Sequence, residues 1–359
     1  MRARNVIKAA AAFALLAPAT AWAQAVPTDI PEMTLKVADT FPSQGFVPER
    51  AKSWAENITK KTGGKVKFQF FWSDSLFKQA DGATNLAAGV SDFARVASTY
   101  DPAKTQLWMT LDMPFNANDY WCGISSAVET QQEQPDLKKK FDELGFLPIV
   151  GYSSGHFHFL SKEPVTKISE LKGKRIRSYG GARIGMSTVL GISAIFMPYG
   201  QIYEAVERGV VDGAEATILL TDSFKHYEIA KNLTLARTGY VVGSSYSINL
   251  KKWNSFPASL KQIFKDAAKE HDMDWARLMM EQEGVKLKEF QEKRGMKVLE
   301  FSAEDKAAFA KAAKESQELW LADMDKKNVP ARAAWTMFQD KQRACEKKVA
   351  AEGYPWAKK

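Results

Sequence analysis

Hydrophobic and polar positions follow two rhythms along the chain, one typical of strands and one typical of helices. In the first third, the pattern predicts strands over 34–38, 65–72 and 92–97 and helices over 48–61 and about 79–88. Strands that alternate with helices in this way are typical of a sheet whose strands are joined by crossover helices. The first third of the chain therefore predicts an α/β unit.

The same rhythm returns after residue 145. Alternation predicts strands over 147–152, 156–160, 172–177 and 240–249, and a short helix begins at Gln201 and ends at Gly209. This second series resembles the first, so the sequence predicts two similar α/β halves.

A different pattern begins near residue 257. Apolar positions at helical spacing predict one long helix over 257–294, which must kink or span more than one domain. A short strand over 297–300 follows, and Ser302-x-x-Asp305 matches a capping box that opens a further helix. From Pro330 the chain is lysine-rich and helical in pattern, so the fold ends in a helical tail.

The N-terminus has the pattern of a signal peptide. Arg2, Arg4 and Lys8 form a positive region, and an apolar run and the small residues Ala21 and Ala23 follow. The alternative is a single membrane anchor, but the apolar stretch is shorter than the roughly 20 residues that cross a bilayer. We expect residues 1–23 to be removed by cleavage after Ala23, or after Ala25 as the alternative.

Charge and composition exclude several classes of protein. Loss of residues 1–23 removes three basic residues and no acidic one, so the formal net charge falls from +8 to +5. The basic residues alternate with acidic ones and no arginine-rich block occurs, so no nucleic-acid partner is expected. Beyond the N-terminus, no run of 18 apolar residues occurs, which excludes a polytopic membrane protein.

Cysteine and histidine are too scarce for a metal centre built from them. The two cysteines, Cys122 and Cys345, could form a disulfide in an oxidising compartment, but nothing in the sequence shows that they meet. Only four histidines are present, so we expect no metal and no cofactor.

Two motifs raise an enzymatic alternative. Residues 151–155 match G-x-S-x-G, in which Ser153 would be the nucleophile, but the helix that must follow is replaced by an alternating segment. His156 and His158 share one face of a predicted strand and could bind zinc only with further ligands. For residues 151–155 we favour a serine- and glycine-rich link between strands. For His156 and His158 we favour two polar residues that line a groove. A secreted serine or zinc hydrolase remains the enzyme alternative.

Arg177 is the strongest candidate for ligand binding. It ends a predicted strand and is followed by the flexible turn 178–181. Strand ends in open α/β sheets face the crevice where ligands bind. A guanidinium there can bind a carboxylate through two parallel hydrogen bonds, which lysine cannot do. The alternative is a basic strand on the surface.

Several segments, taken in order, resemble the extracytoplasmic solute receptors of TRAP (tripartite ATP-independent periplasmic) transporters. They cover essentially the whole chain after residue 23: GKVK at 64–67, LAAGVSD at 86–92, MPF at 113–115, ISELKGKRIR at 168–177 and YEAVERGVVDGAE at 203–215. The resemblance implies two α/β lobes with a hinge, linked by crossing strands and the long helix, that close over an organic anion. It implies no catalysis, a periplasmic location and delivery of the solute to the membrane permease subunits. The arginine that binds the ligand carboxylate in such receptors matches Arg177.

Two departures from the family pattern bear on the ligand. Many relatives have a second arginine where this chain has His156, Phe157 and His158, and an asparagine where it has Ala216 and Thr217. Their loss weakens the case for a dicarboxylate or a sugar acid. The candidate cleft positions are instead aromatic: Phe41, Trp72, Tyr100, Phe157, Tyr179, Tyr199 and Tyr240. Such rings favour a monocarboxylate with an apolar or aromatic body.

The resemblance also predicts the domain organisation. After the signal peptide, lobe I comprises residues 24–153 plus about 243–282, and lobe II comprises 154–242 plus about 283–336. Residues 337–359 form a C-terminal helical tail. We expect a monomer. A second alternative for function keeps this fold but has the protein present its ligand to a membrane kinase.

Overall fold

The structure is a computed structural model, and it describes residues 26–357. The predicted signal peptide lies outside the described residues. The strands in this part of the chain are β1 (Met33–Ala38), β2 (Val66–Phe71), β3 (Phe93–Ala97), β4 (Phe146–Gly151), β5 (His158–Ser161), β6 (Arg175–Ser178), β7 (Ser193–Phe196), β8 (Gly213–Ala216), β9 (Asn232–Leu235), β10 (Ser244–Asn249) and β11 (Lys297–Glu300).

The helices alternate with these strands over most of the chain. They are α1 (Phe46–Lys61), α2 (Gly82–Ala87), α3 (Gln106–Met109), α4 (Tyr120–Glu133), α5 (Pro135–Leu144), α6 (Ala182–Val189), α7 (Ile202–Glu207), α8 (Ile218–Ser223), α9 (Leu250–Ser255), α10 (Ala258–Lys293), α11 (Ala303–Lys326) and α12 (Ala331–Glu352). The predicted α/β class is confirmed.

The strands form two sheets, one in each lobe. The sheet of lobe I has the order β2-β1-β3-β10-β4, and the sheet of lobe II has the order β11-β9-β5-β8-β6-β7. In lobe I, β1 pairs in parallel with β2 and β3, whereas β10 is antiparallel to β3 and β4. In lobe II, β6 pairs in parallel with β7 and β8. The carboxyl ends of parallel strands are where open α/β sheets place ligands.

Three segments connect the lobes. The chain crosses after β4 and again before β10, and the two crossing segments pair through a bridge between His156 and Tyr240. The long helix α10 is the third connection: Phe264 packs in the core of lobe I, and Phe290 packs with Leu233 of β9 in lobe II. The prediction that this helix spans more than one domain is confirmed.

The crossing segments also correct two predicted strands. The strand predicted over 156–160 begins only at His158, and the strand predicted over 240–249 begins at Ser244. Gly155 has φ +91°, a conformation that interrupts a regular strand and that side chains with a Cβ rarely adopt. Residues in the crossing segments, such as Phe157 and Tyr240, are buried although they lie outside the sheets. Their apolar character therefore resembled that of a strand in the sequence.

The two cysteines form a disulfide. Cys122 lies in α4 and Cys345 in α12, with their Cα atoms 5.5 Å apart. The question that the sequence left open is therefore resolved in favour of pairing. The bond ties the C-terminal helix to a helix of lobe I across 223 residues of sequence.

Residues 26–357 show no sign of a membrane span or of a metal site. No helix in this range is both long and apolar enough to cross a membrane. No three side chains of histidine, cysteine, aspartate or glutamate in the range come together in a group that could hold a metal ion.

Candidate ligand-binding site

A small cavity lies between the two sheets. Its volume is about 30 Å³, room for roughly one water molecule. Three of its walls come from segments that follow strands: Phe41 follows β1, Tyr100 follows β3 and Tyr179 follows β6. Parallel strands therefore direct their carboxyl ends toward the same cavity, as the crevice rule for α/β sheets requires.

The cavity wall is mainly aromatic. Its rings are Phe41, Tyr100, Tyr152, Phe157, Tyr179 and Tyr199. Five of these six belong to the sequence-predicted set, and Tyr152 was not predicted. Burial raises the pKa of Tyr199 to about 12, so its hydroxyl is neutral at physiological pH and can donate a hydrogen bond.

Arg177 lies beside this cavity and is completely buried. Its Nε donates to the Met197 carbonyl at 3.0 Å and its Nη1 to the Glu215 carbonyl at 3.2 Å. The guanidinium carbon lies 5.0 Å from the centre of the Tyr199 ring, which lines the cavity. Its Nη2 forms no hydrogen bond among residues 26–357. The Tyr100 hydroxyl is near enough that, although burial raises its pKa, the charge of Arg177 opposes this rise. A buried charged donor without a partner is costly, so this nitrogen is suited to a ligand anion.

His226 also packs against the Tyr199 ring. The two rings stack with their centres 5.4 Å apart, and His226 is fully buried. Burial and the charge of Arg177 lower the pKa of this imidazole to about 3, so it is neutral. A neutral ring leaves the positive charge of Arg177 available to an anion. Sequence analysis did not select His226.

Arg95 is a second buried guanidinium, in β3 of lobe I, and it lines the cavity. It forms a bidentate ion pair with Asp39, with Nε–Oδ1 and Nη2–Oδ2 distances of 3.0 and 3.1 Å. Its Nη2 also donates to the Tyr246 hydroxyl at 2.7 Å. No acceptor in the described part of the chain contacts Nη1. The sequence did not reveal this residue, because one charge within an apolar strand resembles a chance surface position.

Arg183, on α6, is the third buried arginine of this region. Its guanidinium lies 4.2 Å from the Phe157 ring centre, and its Nη1 donates to the Thr238 hydroxyl at 3.3 Å. Burial lowers the pKa of Arg183 and raises that of the nearby Glu215 carboxyl. Ser178 donates to that carboxyl at 2.9 Å. Lobe II therefore holds two arginines and one carboxyl side by side without solvent.

The remaining predicted site residues lie outside the cavity wall. Trp72 stacks on Phe70 at 4.6 Å, on the sheet of lobe I. Ala216 and Thr217 are buried at the end of β8, where the Thr217 amide donates to the Tyr199 hydroxyl at 3.2 Å. Thr217 therefore contacts Tyr199 of the cavity wall but does not itself line the cavity.

The two crossing segments carry His156 and Tyr240, which pair through their bridge, and His158 follows at the start of β5. The His156 ring stacks on Tyr240 at 4.0 Å, and the His158 Nδ1 accepts from the Ala236 amide at 3.2 Å. Burial lowers the pKa of His156 to about 3 and that of His158 well below its usual value. Both imidazoles are therefore neutral, and neither lines the cavity. The two histidines were expected to share one face of a strand and to line a groove. The observed strand β5 begins only at His158, so His156 does not share that face.

The surroundings of Ser153 do not match a nucleophile elbow. The residues after Gly155 lead into strand β5, not into a helix. The Ser153 hydroxyl accepts from the Gly155 amide at 3.3 Å, and its carbonyl accepts from the Trp275 indole at 2.9 Å. Ser153 thus belongs to the link between the lobes.

Larger grooves occur on the outer surface. One of about 470 Å³ lies between α11 and α12 and is lined by Trp335 and by polar side chains such as Gln317 and Gln339. Both of these amides already donate to backbone carbonyls, at 2.6 and 2.9 Å. The cavity between the sheets is much smaller. Among residues 26–357, however, Arg95 and Arg177 each have a buried terminal nitrogen without a hydrogen bond; Arg95 lines this cavity and Arg177 lies beside it.

Two α/β lobes, a long connecting helix and a cavity beside a buried arginine define the class of two-lobed solute-binding proteins. The chain matches the model of the DctP family, bacterial extracellular solute-binding protein, family 7, over residues 37–322, and it belongs to this family. Members of this family bind solutes and are not enzymes.

Three known proteins illustrate the relationship. A solute-binding protein of Sulfitobacter sp. (strain NAS-14.1) is 30% identical over 309 residues, which cover 84% of this chain and 89% of the relative. A TRAP periplasmic solute-binding protein from Desulfovibrio salexigens with bound orotic acid has a TM-score of 0.77 at 22% identity, covering 87% of this chain and 99% of the other. A Bordetella pertussis extracytoplasmic solute receptor binding pyroglutamic acid has a TM-score of 0.75 at 17% identity, covering 87% and 100%. The resemblance to TRAP receptors is confirmed.

Proposed function

We propose that this protein is the periplasmic receptor of a TRAP transporter, which captures an organic acid anion and delivers it to the membrane permease. The observation that carries this proposal is the Arg177 Nη2, fully buried beside the cavity and without an acceptor in the described chain. A carboxylate is the ligand group that a guanidinium binds best, through charge-assisted hydrogen bonds. Residues 1–23 act in this proposal as the signal peptide that exports the chain.

The ring-lined wall supports a narrower ligand class, a monocarboxylate with an apolar or aromatic body. Six aromatic side chains surround the cavity, and such walls bind flat or apolar groups. The two related structures cited above were solved with orotic acid and pyroglutamic acid, both of which are carboxylic acids on a ring. In this proposal the carboxylate binds Arg177 and the ring lies between Phe41, Phe157 and Tyr179.

Binding requires a hinge motion. A cavity of about 30 Å³ is smaller than any ring acid, so the lobes must part to admit the ligand. The paired crossing segments at His156 and Tyr240 are the natural hinge, since they form the narrow link between two packed sheets. The ligand then stabilises the closed arrangement only to the extent that it binds this arrangement better than the open one. The receptor acts as a monomer in this scheme.

No observation favours the enzymatic alternatives. The helix required after Ser153 is absent from the described chain, and His156 and His158 are separated by the start of β5. The second alternative, presentation of the ligand to a membrane kinase, would use the same cleft. It differs from the proposed function only in the membrane protein that receives the loaded receptor.

A thermal-shift screen with matched arginine variants tests the proposal. Aromatic and alicyclic monocarboxylates, and small dicarboxylates for comparison, are added to wild-type protein, to Arg177→Ala and to Arg175→Ala. Arg175 lies two residues away in β6 but is exposed and paired with Asp212 at 2.7 Å. We expect at least one acid to raise the Tm of the wild type and of Arg175→Ala but not that of Arg177→Ala. Stabilisation by dicarboxylates alone would refute the ligand class. An equal shift in Arg177→Ala would refute the role of Arg177.

A further inference from the structure

The ion pair between Arg95 and Asp39 fixes one guanidinium on the lobe I side of the cavity. Asp39 accepts from Nε and Nη2 of Arg95, from the Tyr246 hydroxyl and from the Phe41 amide. Its two carboxylate oxygens are thus fully engaged within lobe I. Phe41, Tyr152 and Tyr246 pack around the guanidinium at 4.3–4.5 Å from its carbon. The plane of the guanidinium is therefore fixed.

Nε and Nη2 of Arg95 donate hydrogen bonds to Asp39 and Tyr246, whereas Nη1 donates none to the described residues. It is buried and has no acceptor among the described residues. A structural ion pair would be complete without it, yet Arg95 and two of the rings around it, Phe41 and Tyr152, line the cavity. An unsatisfied buried N–H of a charged group costs free energy until an acceptor arrives. The cavity is the place where a bound molecule would supply that acceptor.

The charges around the two arginines differ. Asp39 balances the charge of Arg95 in a bidentate pair. Arg177 instead donates to two backbone carbonyls, and the nearby Glu215 carboxyl interacts with both Arg177 and Arg183. A second carboxylate at Arg95 would lie close to the Asp39 carboxylate and be repelled by it. A neutral carbonyl or hydroxyl oxygen accepts the same hydrogen bond without that repulsion.

We propose that Arg95 is a second ligand anchor that determines specificity. The ligand binds Arg177 through its carboxylate and Arg95 Nη1 through a neutral oxygen at the other end of its ring. This inference rests on the proposed function and narrows it: ring acids that carry a carbonyl or hydroxyl acceptor are preferred over the same kind of ring without one. The Asp39 pair positions the donor and selects against dicarboxylates.

Matched pairs of acids test this inference by calorimetry. Benzoate is compared with orotate, and cyclopentanecarboxylate with pyroglutamate; in each pair only the second acid has ring carbonyls. We expect the carbonyl acid of at least one pair to bind the wild type about tenfold or more tightly than its partner, the effect of one charge-assisted hydrogen bond.

Two variants separate anchoring from stability. Arg95→Met combined with Asp39→Asn removes donor and counter-charge together, so no buried charge is left alone. Tyr246→Phe loses a hydrogen bond to the same pair but keeps Nη1. The preference should disappear in the double variant and persist in Tyr246→Phe.

Each outcome decides between the proposals. Equal affinities within both pairs, or a preference that survives in the double variant, would overturn the role of Arg95 while leaving the receptor function intact. If the acids bind but Arg177→Ala binds them equally well, the carboxylate-binding role of Arg177 in the proposed function is wrong as well. If no acid of the four binds the wild type, the role of Arg95 and the proposed class of ring monocarboxylates are both wrong.

Discussion

Three buried arginines surround the ligand region, and their partners differ. Arg95 is paired with a carboxylate, whereas Arg177 and Arg183 donate mainly to backbone carbonyls and a hydroxyl. A carbonyl dipole stabilises a buried cation less than a full opposite charge does. Lobe II thus has two buried arginines beside one carboxyl, Glu215, whose pKa is raised by burial. The arginine charge in excess of that carboxyl is the reason why we place the ligand carboxylate there.

Replacement of Arg177 by lysine tests the geometry of that contact. Lysine keeps the charge but lacks the planar fork that donates to Met197 and Glu215 while leaving Nη2 free. We expect Arg177→Lys to weaken binding of a stabilising acid by about tenfold to a hundredfold in calorimetry, which corresponds to the roughly 1.5–3 kcal/mol of a charged hydrogen bond. Affinity equal to the wild type would show that only the charge at residue 177 matters.

Glu283, on α10, is a half-buried residue near the segments that cross between the lobes. A Cβ atom at Gly155 would lie 2.7 Å from its Oε1 and 2.9 Å from the Tyr120 hydroxyl, so these groups converge there. Burial raises the pKa of Glu283 to about 7, opposed by Tyr120 and by the charge of Arg237. The neighbouring His156 has its pKa lowered to about 3 and does not titrate near neutrality.

The raised pKa of Glu283 predicts a pH-dependent stability. The unfolded carboxyl loses its proton near pH 4.5 and the folded one near 7, so the free energy of unfolding falls as pH rises between these values. Glu283→Gln removes this loss. The variant should therefore gain up to about 3 kcal/mol relative to wild type between pH 5 and 8 in chemical denaturation.

Glu281→Gln is the matched control. Glu281 lies on the same helix but is exposed and paired with Arg277 at 3.3 Å, so its substitution should give the same difference from wild type at both pH values. A Glu283→Gln effect that is equally independent of pH would contradict the raised pKa.

At the residue scale, the sequence selected the buried Arg177 and five of the six rings in the cavity wall, and the binding role of Arg177 stays a prediction. Arg177 and five rings were found because strand ends and a family resemblance point to them. Arg95, Tyr152 and His226 were missed, since their positions at the site arise from contacts with residues distant in the chain, such as that of Arg95 with Tyr246 across 151 residues. His156 and Trp72 were selected by residue type, which carries no information about the direction a side chain faces.

Among the elements, the disulfide between α4 and α12 makes a direct prediction. It closes a loop of 223 residues and links helix α12 covalently to helix α4. Cys122→Ala with Cys345→Ala should lower the free energy of unfolding by about 2–5 kcal/mol in urea. Wild-type protein reduced before denaturation should match the double variant. Identical stability of the oxidised protein and the variant would contradict this contribution.

The elements that alternation could predict were those with one clear period. The long helix α10, the strand β11 and the Ser302 cap, where the Ser302 hydroxyl accepts from the Asp305 amide at 3.0 Å, follow the prediction closely. Helices α4 and α5 and strand β9 were not predicted. β9 does alternate between polar and apolar residues, but it spans only four residues, at the lower limit of length for this signal.

At the scale of the whole molecule, the two sheets and the helix α10 account for an enclosed site between two lobes. The fold class could be predicted from the order of strands and helices together with the family resemblance. The boundaries of the lobes, near residues 153 and 243, stay a prediction, and hydrogen exchange with and without ligand would locate the hinge. How closely the lobes approach could not be predicted, because it depends on side chains from both.

The most direct test of the account is a crystal structure of the protein with a stabilising monocarboxylate. The account predicts closed lobes, the carboxylate within about 2.7–3.2 Å of Arg177 Nη2 and the ring between the cavity aromatics. A ligand bound elsewhere, or a carboxylate that contacts other groups while Arg177 keeps only its two carbonyl partners, would contradict it.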